Sequence, residues 1–353
     1  MAIPTRQERQ GKLKSILPTP SSPSRPLLTH LSADNSWLLS LPIPKSTVAS
    51  GHNAKLNHQK VYFHLLLDAW LTHDNAVIES ARWFQVLYHV ETPACPSIAA
   101  VNDLIADIEA TASGALVSDL EGNAQIDAVV VGHFANDHAN YDTLKQVSAS
   151  VPIFAADNAF DKVQSWKHFE TVVQIPEFGT EAGGLDWRTA FATEAPHLPS
   201  WLGVWRISGP KRSPALHWAV CIVFDLEGTG QGQAECIIHS PHGPYVEDVA
   251  VMKKLDPPVK NLALLHTTKE SWFYWWGKAN MGAKHGAQIA EIVSPKYWVS
   301  THDEMLVVTG FNYWFLKDVV NDGAQVVQEE KEKGRLKGLE FVQVGNGESF
   351  VLV

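Results

Sequence analysis

Three apolar segments of this chain each run directly into histidines. They read VVVGHFANDH at residues 129–138, CIIHSPHG at 236–243 and YWVSTHDE at 297–304. A short apolar run bounded by polar residues is typical of a buried β-strand, and loops at strand ends often carry reactive side chains. Three strands that each end in histidines therefore predict a fold in which these strand ends share one site.

The side chains that follow these strands are of the types that bind a divalent metal. In chain order they are His133, Asp137, His138, His239, His242 and His302. Imidazoles and carboxylates suit Zn²⁺, Fe²⁺ or Mn²⁺, and Asp303 and Glu304 are available to accept hydrogen bonds from ligand imidazoles. Two alternatives stay open. In the first alternative, Asp137 caps the next helix in a polar turn. In the second, each histidine is an ordinary polar residue at a strand edge.

Composition narrows the classes of partner. The three cysteines, Cys95, Cys221 and Cys236, form no C-x-x-C pair, which disfavours a disulfide framework or a thiolate zinc site and predicts a reducing, cytoplasmic location. A formal net charge of −10 disfavours nucleic acid or an anionic membrane surface as the main partner. No apolar run reaches the roughly 18 residues that span a bilayer. A small-molecule substrate is the expected partner.

The N-terminal residues differ in composition from the rest. Residues 1–26 contain five prolines and a single acidic residue, Glu8. This composition predicts an extended or mobile arm ahead of one domain at 27–353. A mitochondrial transit peptide is an alternative that the prolines disfavour, because such a signal forms an amphipathic helix.

Beyond the arm, strand-like and helix-like patterns alternate, which predicts an α/β protein with sheets covered by helices. The run at 201–238 reads as antiparallel strands and argues against a simple doubly wound parallel sheet. The last helix is predicted over about 310–334. The Gly- and Pro-bearing stretch at 177–199 is predicted to be a long excursion or lid.

The order of these segments resembles the metallo-β-lactamase fold superfamily over roughly residues 30–320. Members carry H-x-H-x-D-H after a buried strand, then a later His, a metal-bridging Asp and a final His. LLLDAWL at 65–71 is similar to an early strand of that family, which ends in an Asp. The lactonase-like and phospholipase-like branch, with its uncharacterised fungal members, is the most similar. The resemblance implies a four-layer αββα sandwich and a metal-dependent hydrolase.

This sequence departs from the family motif at three places. Ala135 replaces the second His of H-x-H-x-D-H, and His242 stands where the bridging Asp is expected. The middle His has only one poorly aligned substitute, His217. One of the family's two metal sites has therefore lost ligands.

The resemblance implies that the other metal site is kept. Asp137, His138 and His302 match its ligands, and His242 can complete them. The prediction is one divalent ion, Zn²⁺ first, with Fe²⁺ or Mn²⁺ as alternatives. His133 stays in the candidate ligand set, but in a one-metal site it is free to act as a general base or to orient water. His133 and Asp137 are thus the candidate catalytic residues.

A run of five aromatic residues, SWFYWWG at 271–277, predicts the substrate surface. Consecutive side chains cannot all face one core, so part of the run should be exposed or line a cavity. The candidate substrate-binding residues are Trp272, Tyr274, Trp275, Trp276 and His266. A homo-oligomer contact and plain core packing remain alternatives for these aromatics.

Together these features predict hydrolysis of an ester, lactone or thioester of a bulky apolar or aromatic small molecule by metal-activated water. Two other functions stay open. One is a metal-dependent lyase, isomerase or oxygenase of secondary metabolism. The other is a binding protein in which a catalytically degenerate site persists.

Overall fold

Two β-sheets lie at the centre of the molecule. The computed structural model describes residues 5–17, 25–45, 60–76, 81–120, 122, 124–178, 185–188, 197–207, 216–228, 233–275 and 277–353. In spatial order the first sheet consists of β19 (Ser349–Val351), β1 (Leu27–His30), β2 (Trp37–Pro42), β3 (Tyr62–Leu67), β6 (Ala128–Val131), β7 (Ile153–Ala155) and β8 (Val172–Gln174). The second consists of β18 (Glu340–Val342), β15 (Tyr297–Ser300), β12 (Lys260–His266), β11 (Glu235–Ser240), β10 (Ala219–Phe224) and β9 (Leu202–Ile207).

Both large sheets are mixed. In the first, β19, β1, β2 and β3 pair antiparallel, whereas β3, β6, β7 and β8 are parallel. In the second, β9, β10 and β11 pair antiparallel, whereas β11, β12, β15 and β18 are parallel. The antiparallel strands predicted within 201–238 are confirmed.

Within the described ranges, two small three-stranded sheets and a set of helices accompany the two large sheets. The small sheets are β14 (Gly277–Met281), β13 (Lys269–Phe273) and β17 (Leu316–Val320), and β16 (Val307–Thr309), β5 (Val86–Tyr88) and β4 (Asp74–Ala76). The α-helices are α1 (Arg6–Ile16), α2 (Ile98–Ser113), α3 (Val117–Leu120), α4 (Tyr141–Leu144), α5 (Asn158–Ser165), α6 (Val246–Val249), α7 (Ala283–Val293) and α8 (Gly323–Glu332). Two 3₁₀ helices span Ala250–Lys254 and Phe311–Phe315.

The alternation of side chains along the strands sorts the apolar residues into three cores. On β3, Leu65 and Leu67 face the second sheet, whereas Leu66 faces the helices. On β11, Ile237 joins the core between the sheets and Ile238 joins the outer one. Successive strand residues point to opposite faces, so strands covered on both faces are continuously apolar. Helices α1 and α2 pack on the first sheet, and α7 and α8 on the second. The predicted four-layer αββα sandwich is confirmed.

Part of the predicted N-terminal arm is a docked helix. Residues 6–16 form α1, which begins with a capping box between Thr5 and Glu8. Leu13 is buried against α2, and Arg9 pairs with the buried Asp107 at 2.7 Å. The prediction of an extended arm over this stretch was wrong because none of the five prolines lies within residues 6–16. The division into 1–26 and 27–353 stays a prediction.

The C-terminal helix was also predicted too long. Within the predicted 310–334, the chain forms a 3₁₀ helix, strand β17 and then α8. Two β-branched valines at the end of β17 favour the strand, and Asp322 starts α8 by accepting hydrogen bonds from the N–H groups of Ala324 and Gln325. Most of the predicted lid at 177–199 lies outside the described residues.

The three cysteines are free and buried. Among the described residues, no helix is long and apolar enough to cross a bilayer.

If α1 is docked through Leu13, then Leu13→Ala should lower the free energy of unfolding by about 2 kcal/mol, because it leaves a cavity under the helix. Ile16→Ala is the matched control, since Ile16 is 37% exposed on the same helix, and should cost much less. Urea unfolding of the full chain measures both. Equal losses in the two variants would contradict the docking of α1 through Leu13.

Candidate metal centre

Three imidazoles meet where the strand ends of both sheets converge. The ring centroids of His138 and His242 are 4.9 Å apart, those of His138 and His302 are 5.2 Å apart, and those of His242 and His302 are 5.0 Å apart. All three side chains are buried. The Nε2 atoms of His138 and His242 are 3.0 Å apart, near the roughly 3.3 Å that tetrahedral bonds of about 2.0 Å to one Zn²⁺ impose.

A carboxylate and a fourth imidazole border this group. Asp137 Oδ2 lies 3.6 Å from the Nε2 atoms of both His138 and His302. Potential ligand atoms of Asp137, His138 and His302 lie within 4.8 Å of one another, as do those of His133, His138 and His242. His138 belongs to both groups, so it occupies the centre of the cluster.

The Nδ1 atom of each of the three imidazoles faces its own acceptor. His138 Nδ1 lies 2.8 Å from Asp68 Oδ2, and His302 Nδ1 lies 2.8 Å from Asp34 Oδ2. His242 Nδ1 lies 2.7 Å from Asn280 Oδ1. An acceptor at Nδ1 places the proton there and leaves the Nε2 lone pair free, which is the tautomer that a metal ligand needs. The donor set therefore fits a divalent metal.

Asp68 is the most heavily used of these acceptors. Its carboxylate also lies 2.8 Å from His239 Nε2 and accepts a 2.6 Å hydrogen bond from the N–H of Gly132. Asp68 is completely buried, with a φ of 43° that non-glycine residues rarely adopt. A side chain at Gly132 would place its Cβ 3.1 Å from Asp68 Oδ2, so this residue is small where the carboxylate approaches.

The pKa values of His138 and His242 are shifted in opposite directions. Burial lowers the pKa of His138, but the charges of Asp137 and Asp68 outweigh this and raise it above its ordinary value. The pKa of His242 is well below its ordinary value because of burial and the neighbouring His133, His138 and His302. Burial tends to raise the pKa values of Asp34 and Asp68, but their histidine partners hold both below the usual range. The two carboxylates are therefore charged and His242 is neutral, as metal ligation requires.

His133 differs from the other three imidazoles. Its Nδ1 accepts a 3.1 Å hydrogen bond from the N–H of Ala135, so a neutral ring carries its proton on Nε2. The ring stacks on Trp218 at 5.1 Å and lies 4.6 Å from the ring of His242. His133 thus borders the centre, and its potential ligand atom lies within 4.8 Å of those of His138 and His242.

A lysine on α5 stabilises the loop that carries His133 and His138. Lys162 on α5 donates to the Phe134 carbonyl at 2.7 Å and contacts the Asn136 side chain. Burial lowers the pKa of Lys162 to about 8. Nothing in the sequence near residue 162 indicates this role, since the contact joins segments that are 26 to 28 residues apart.

The two acceptors predicted for the ligand imidazoles have other partners. Asp303 accepts from the N–H groups of Thr268 and Lys269. Glu304 accepts from the N–H groups of Val90 and Glu91. The role expected for Asp303 and Glu304 belongs instead to Asp34, Asp68 and Asn280.

Two further candidate histidines lie apart from the cluster. His217 has Nδ1 2.9 Å from the Gly243 carbonyl and Nε2 3.1 Å from that of Lys278. His266 is completely buried, with Nδ1 2.8 Å from the carbonyl of Thr267, and burial lowers its pKa to about 3. Both ring nitrogens of His217 therefore face backbone carbonyls rather than the imidazole cluster, and His266 does not lie on an accessible surface.

The predicted aromatic surface is partly exposed. Tyr274 and Trp275 are 77% and 66% exposed at the tip of the β13–β14 hairpin, and Trp275 packs on Phe315 with ring centroids 5.7 Å apart. Trp272 is half-buried between Lys278 and Lys317. Trp276 lies outside the described residues.

Comparison with known proteins finds similar folds among solved structures. The sequence matches no protein-family model and no curated protein. Among solved structures, a possible metal-dependent hydrolase from Veillonella parvula is 12% identical, with 93% of this chain and 100% of that chain covered and a TM-score of 0.52. The metallo-β-lactamase fold protein YhfI from Bacillus subtilis is 12% identical, with 93% and 99% covered and a TM-score of 0.45. An isothiocyanate hydrolase from Delia radicum gut bacteria is 13% identical, with 92% and 98% covered and a TM-score of 0.48.

The chain has the metallo-β-lactamase fold. Its two mixed sheets, the flanking helices and the histidine-bearing strand ends agree with that architecture. At these identities the likeness concerns the fold alone, since one fold hosts many activities.

Asp34→Asn should weaken metal binding about 10- to 100-fold, because the Nδ1–H of His302 loses its charged acceptor. Competition against a chromophoric chelator measures the affinity of the metal-free protein for Zn²⁺. Asp142→Asn, an exposed carboxylate on α4, is the control and should bind Zn²⁺ like the unchanged chain. Equal Zn²⁺ affinity in both variants would rule out the alignment of His302 by Asp34.

Proposed function

We propose that this protein is a metal-dependent hydrolase with one divalent ion held by His138, His242, His302 and Asp137. The supporting observations are that the three imidazoles each have Nδ1 on a separate acceptor and that His138 forms one group of close ligand atoms with Asp137 and His302 and another with His242. Three nitrogens and one oxygen suit Zn²⁺ first, with Fe²⁺ or Mn²⁺ as alternatives.

The proposed reaction follows from the groups around these ligands. A divalent ion bound by them would polarise a carbonyl oxygen and lower the pKa of a bound water towards about 7. Asp137 is the carboxylate beside the Nε2 atoms of His138 and His302, so it is placed to accept the proton of the attacking water. His133, with its proton on Nε2, donates a hydrogen bond to the oxygen that gains negative charge. This replaces the role of general base expected for His133.

For the substrate, we propose an ester, lactone or thioester of a bulky apolar or aromatic molecule. Asn280, which orients His242, lies on β14. Strand β14 pairs with β13, and the exposed Tyr274 and Trp275 follow β13. One hairpin therefore carries both a support of the candidate metal centre and an exposed aromatic surface. The free cysteines accord with the cytoplasmic location that we propose.

Protein purified without added metal should contain one equivalent of metal, and His302→Ala should lose that metal together with turnover of aryl esters and aryl lactones. Elemental analysis and an ester assay measure the two effects. His73→Ala, an exposed histidine, is the control and should keep both. Two tightly held equivalents would refute the one-metal centre, and turnover that survives in His302→Ala would refute the proposed function.

His133→Ala separates a hydrogen-bond donor from a metal ligand. The variant should keep its metal equivalent, while kcat falls about 10²- to 10³-fold, as expected when one donor to a developing negative charge is removed. Elemental analysis and steady-state kinetics are run on the same preparation. Loss of the metal in this variant would return His133 to the set of ligands.

A further inference from the structure

Exposed aromatic side chains are concentrated in one part of the described surface. Two of them, Tyr274 and Trp275, form the tip of the β13–β14 hairpin, and Tyr141 on α4 is exposed by itself. The other exposed aromatic residues of the described ranges form a group that we call the aromatic patch: Trp83, Phe311, Tyr313 and Trp314. Single exposed aromatic residues are ordinary, whereas a group of them indicates an interaction site.

The residues of the aromatic patch come from adjacent parts of the fold. Three of them lie on the 3₁₀ helix Phe311–Phe315. The N–H of Phe311 donates to the carbonyl of Trp83 at 3.0 Å, which brings the fourth residue to that helix. The ring of Phe315 lies 5.2 Å from that of Phe311 and 5.7 Å from that of Trp275. The aromatic patch therefore borders the proposed substrate surface without including it.

The area of the aromatic patch is large for a monomer. Trp314 is 80% exposed and Trp83 is 70% exposed, and the other two rings are more than half exposed. At roughly 200 Å² for each ring, the four leave about 500 Å² of side chain in water, near the upper limit of the largest patch on a typical monomer. Three exposed valines lie on the adjacent strands: Val307, Val319 and Val320. With these, the area approaches the roughly 800 Å² that each partner contributes to a standard protein interface.

The charge around the aromatic patch is balanced. Residues 305–316 contain no Asp, Glu, Lys or Arg, although the whole chain has a formal net charge of −10. At its border Arg82 contacts Asp74, and Lys317 is followed by Asp318. Two copies of an acidic chain repel each other, so they approach most easily through a face without net charge. Interface cores are likewise depleted in charged residues and enriched in aromatic ones.

A second copy of the chain fits this surface better than a lipid bilayer. Strand β17 begins directly after the 3₁₀ helix and ends in the exposed Val319 and Val320. Among the described residues, β17 pairs with β13 alone, so its other edge has main-chain N–H and C=O groups without a strand partner. The hydrocarbon of a bilayer offers such groups no hydrogen bond, whereas a protein surface offers both polar and apolar groups.

We propose that two copies of this chain associate through the aromatic patch around a two-fold axis. In such an interface the same surface of each copy contacts the other, so the four rings of one copy pack on the rings and exposed valines of the second. Aromatic pairs stabilise an interface beyond the area that they bury. This proposal goes beyond the proposed function, because the association requires neither metal nor substrate.

Sedimentation equilibrium of the full-length protein over a range of micromolar concentrations tests the association, and should give twice the mass of one chain. Trp314→Ala and Trp83→Ala should each raise the dissociation constant of the dimer about 10- to 30-fold, because each removes an exposed ring from both copies. Tyr141→Ala is the matched control, since Tyr141 is exposed outside the aromatic patch, and should associate like the unchanged chain. Circular dichroism should show the same fold in all three variants.

The salt dependence gives a second readout. Added NaCl should strengthen the dimer, because it screens the repulsion between two chains of net charge −10. A dimer that weakens as NaCl rises would place the contact on ion pairs elsewhere and overturn the proposal.

Three further results would overturn it. One is the mass of a single chain at every concentration. Another is the same dimer affinity in Trp314→Ala and Tyr141→Ala. The third is a monomer that binds phosphatidylcholine vesicles and loses this binding in Trp314→Ala, which would assign the aromatic patch to a membrane surface.

Discussion

The arrangement of the histidines at the strand ends of the two sheets depends on the hydrogen bonds of the buried Asp68 carboxylate. It follows β3 in the first sheet, accepts from Gly132 after β6 in the same sheet, and contacts His239 on β11 in the second sheet. It also holds Nδ1 of His138. A buried charge is expensive unless it is paired and hydrogen-bonded, and here each bond comes from a different part of the edge. The same residue therefore joins the two sheets and orients the central imidazole of the candidate metal centre.

The strain at Asp68 has a physical reason. Its backbone lies at a φ of 43°, a conformation that costs about 1 kcal/mol or more for a non-glycine residue and persists only when the surroundings require it. The bonds to Gly132, His138 and His239 supply that requirement. This strain indicates that the position of the Asp68 carboxylate beside the candidate metal centre matters more than an unstrained backbone.

The sequence predicts sheets covered by helices and the histidine cluster because both leave local patterns, whereas the four-layer sandwich was implied by the family resemblance. Leu65 to Leu67 alternate between two cores, which makes the end of β3 apolar on both faces. His138, His242 and His302 each follow a largely apolar strand. Their partners leave no such pattern. Asp34 contacts His302 across 268 residues, and Asn280 contacts His242 across 38. A polar turn such as the one around Asp34 looks the same in sequence whether or not a histidine contacts it. Asp303 and Glu304, in contrast, lie beside His302 in sequence but form hydrogen bonds with other residues.

We propose that three imidazoles, those of His138, His242 and His302, bind one ion and that His133 does not. X-ray absorption at the K-edge of the metal in the purified protein tests this most directly. We expect three imidazole nitrogens and at least one oxygen at about 2.0 to 2.2 Å, with no second metal nearby. A metal–metal vector near 3.5 to 4 Å, as in two-metal sites, or a spectrum without three imidazoles, would contradict it.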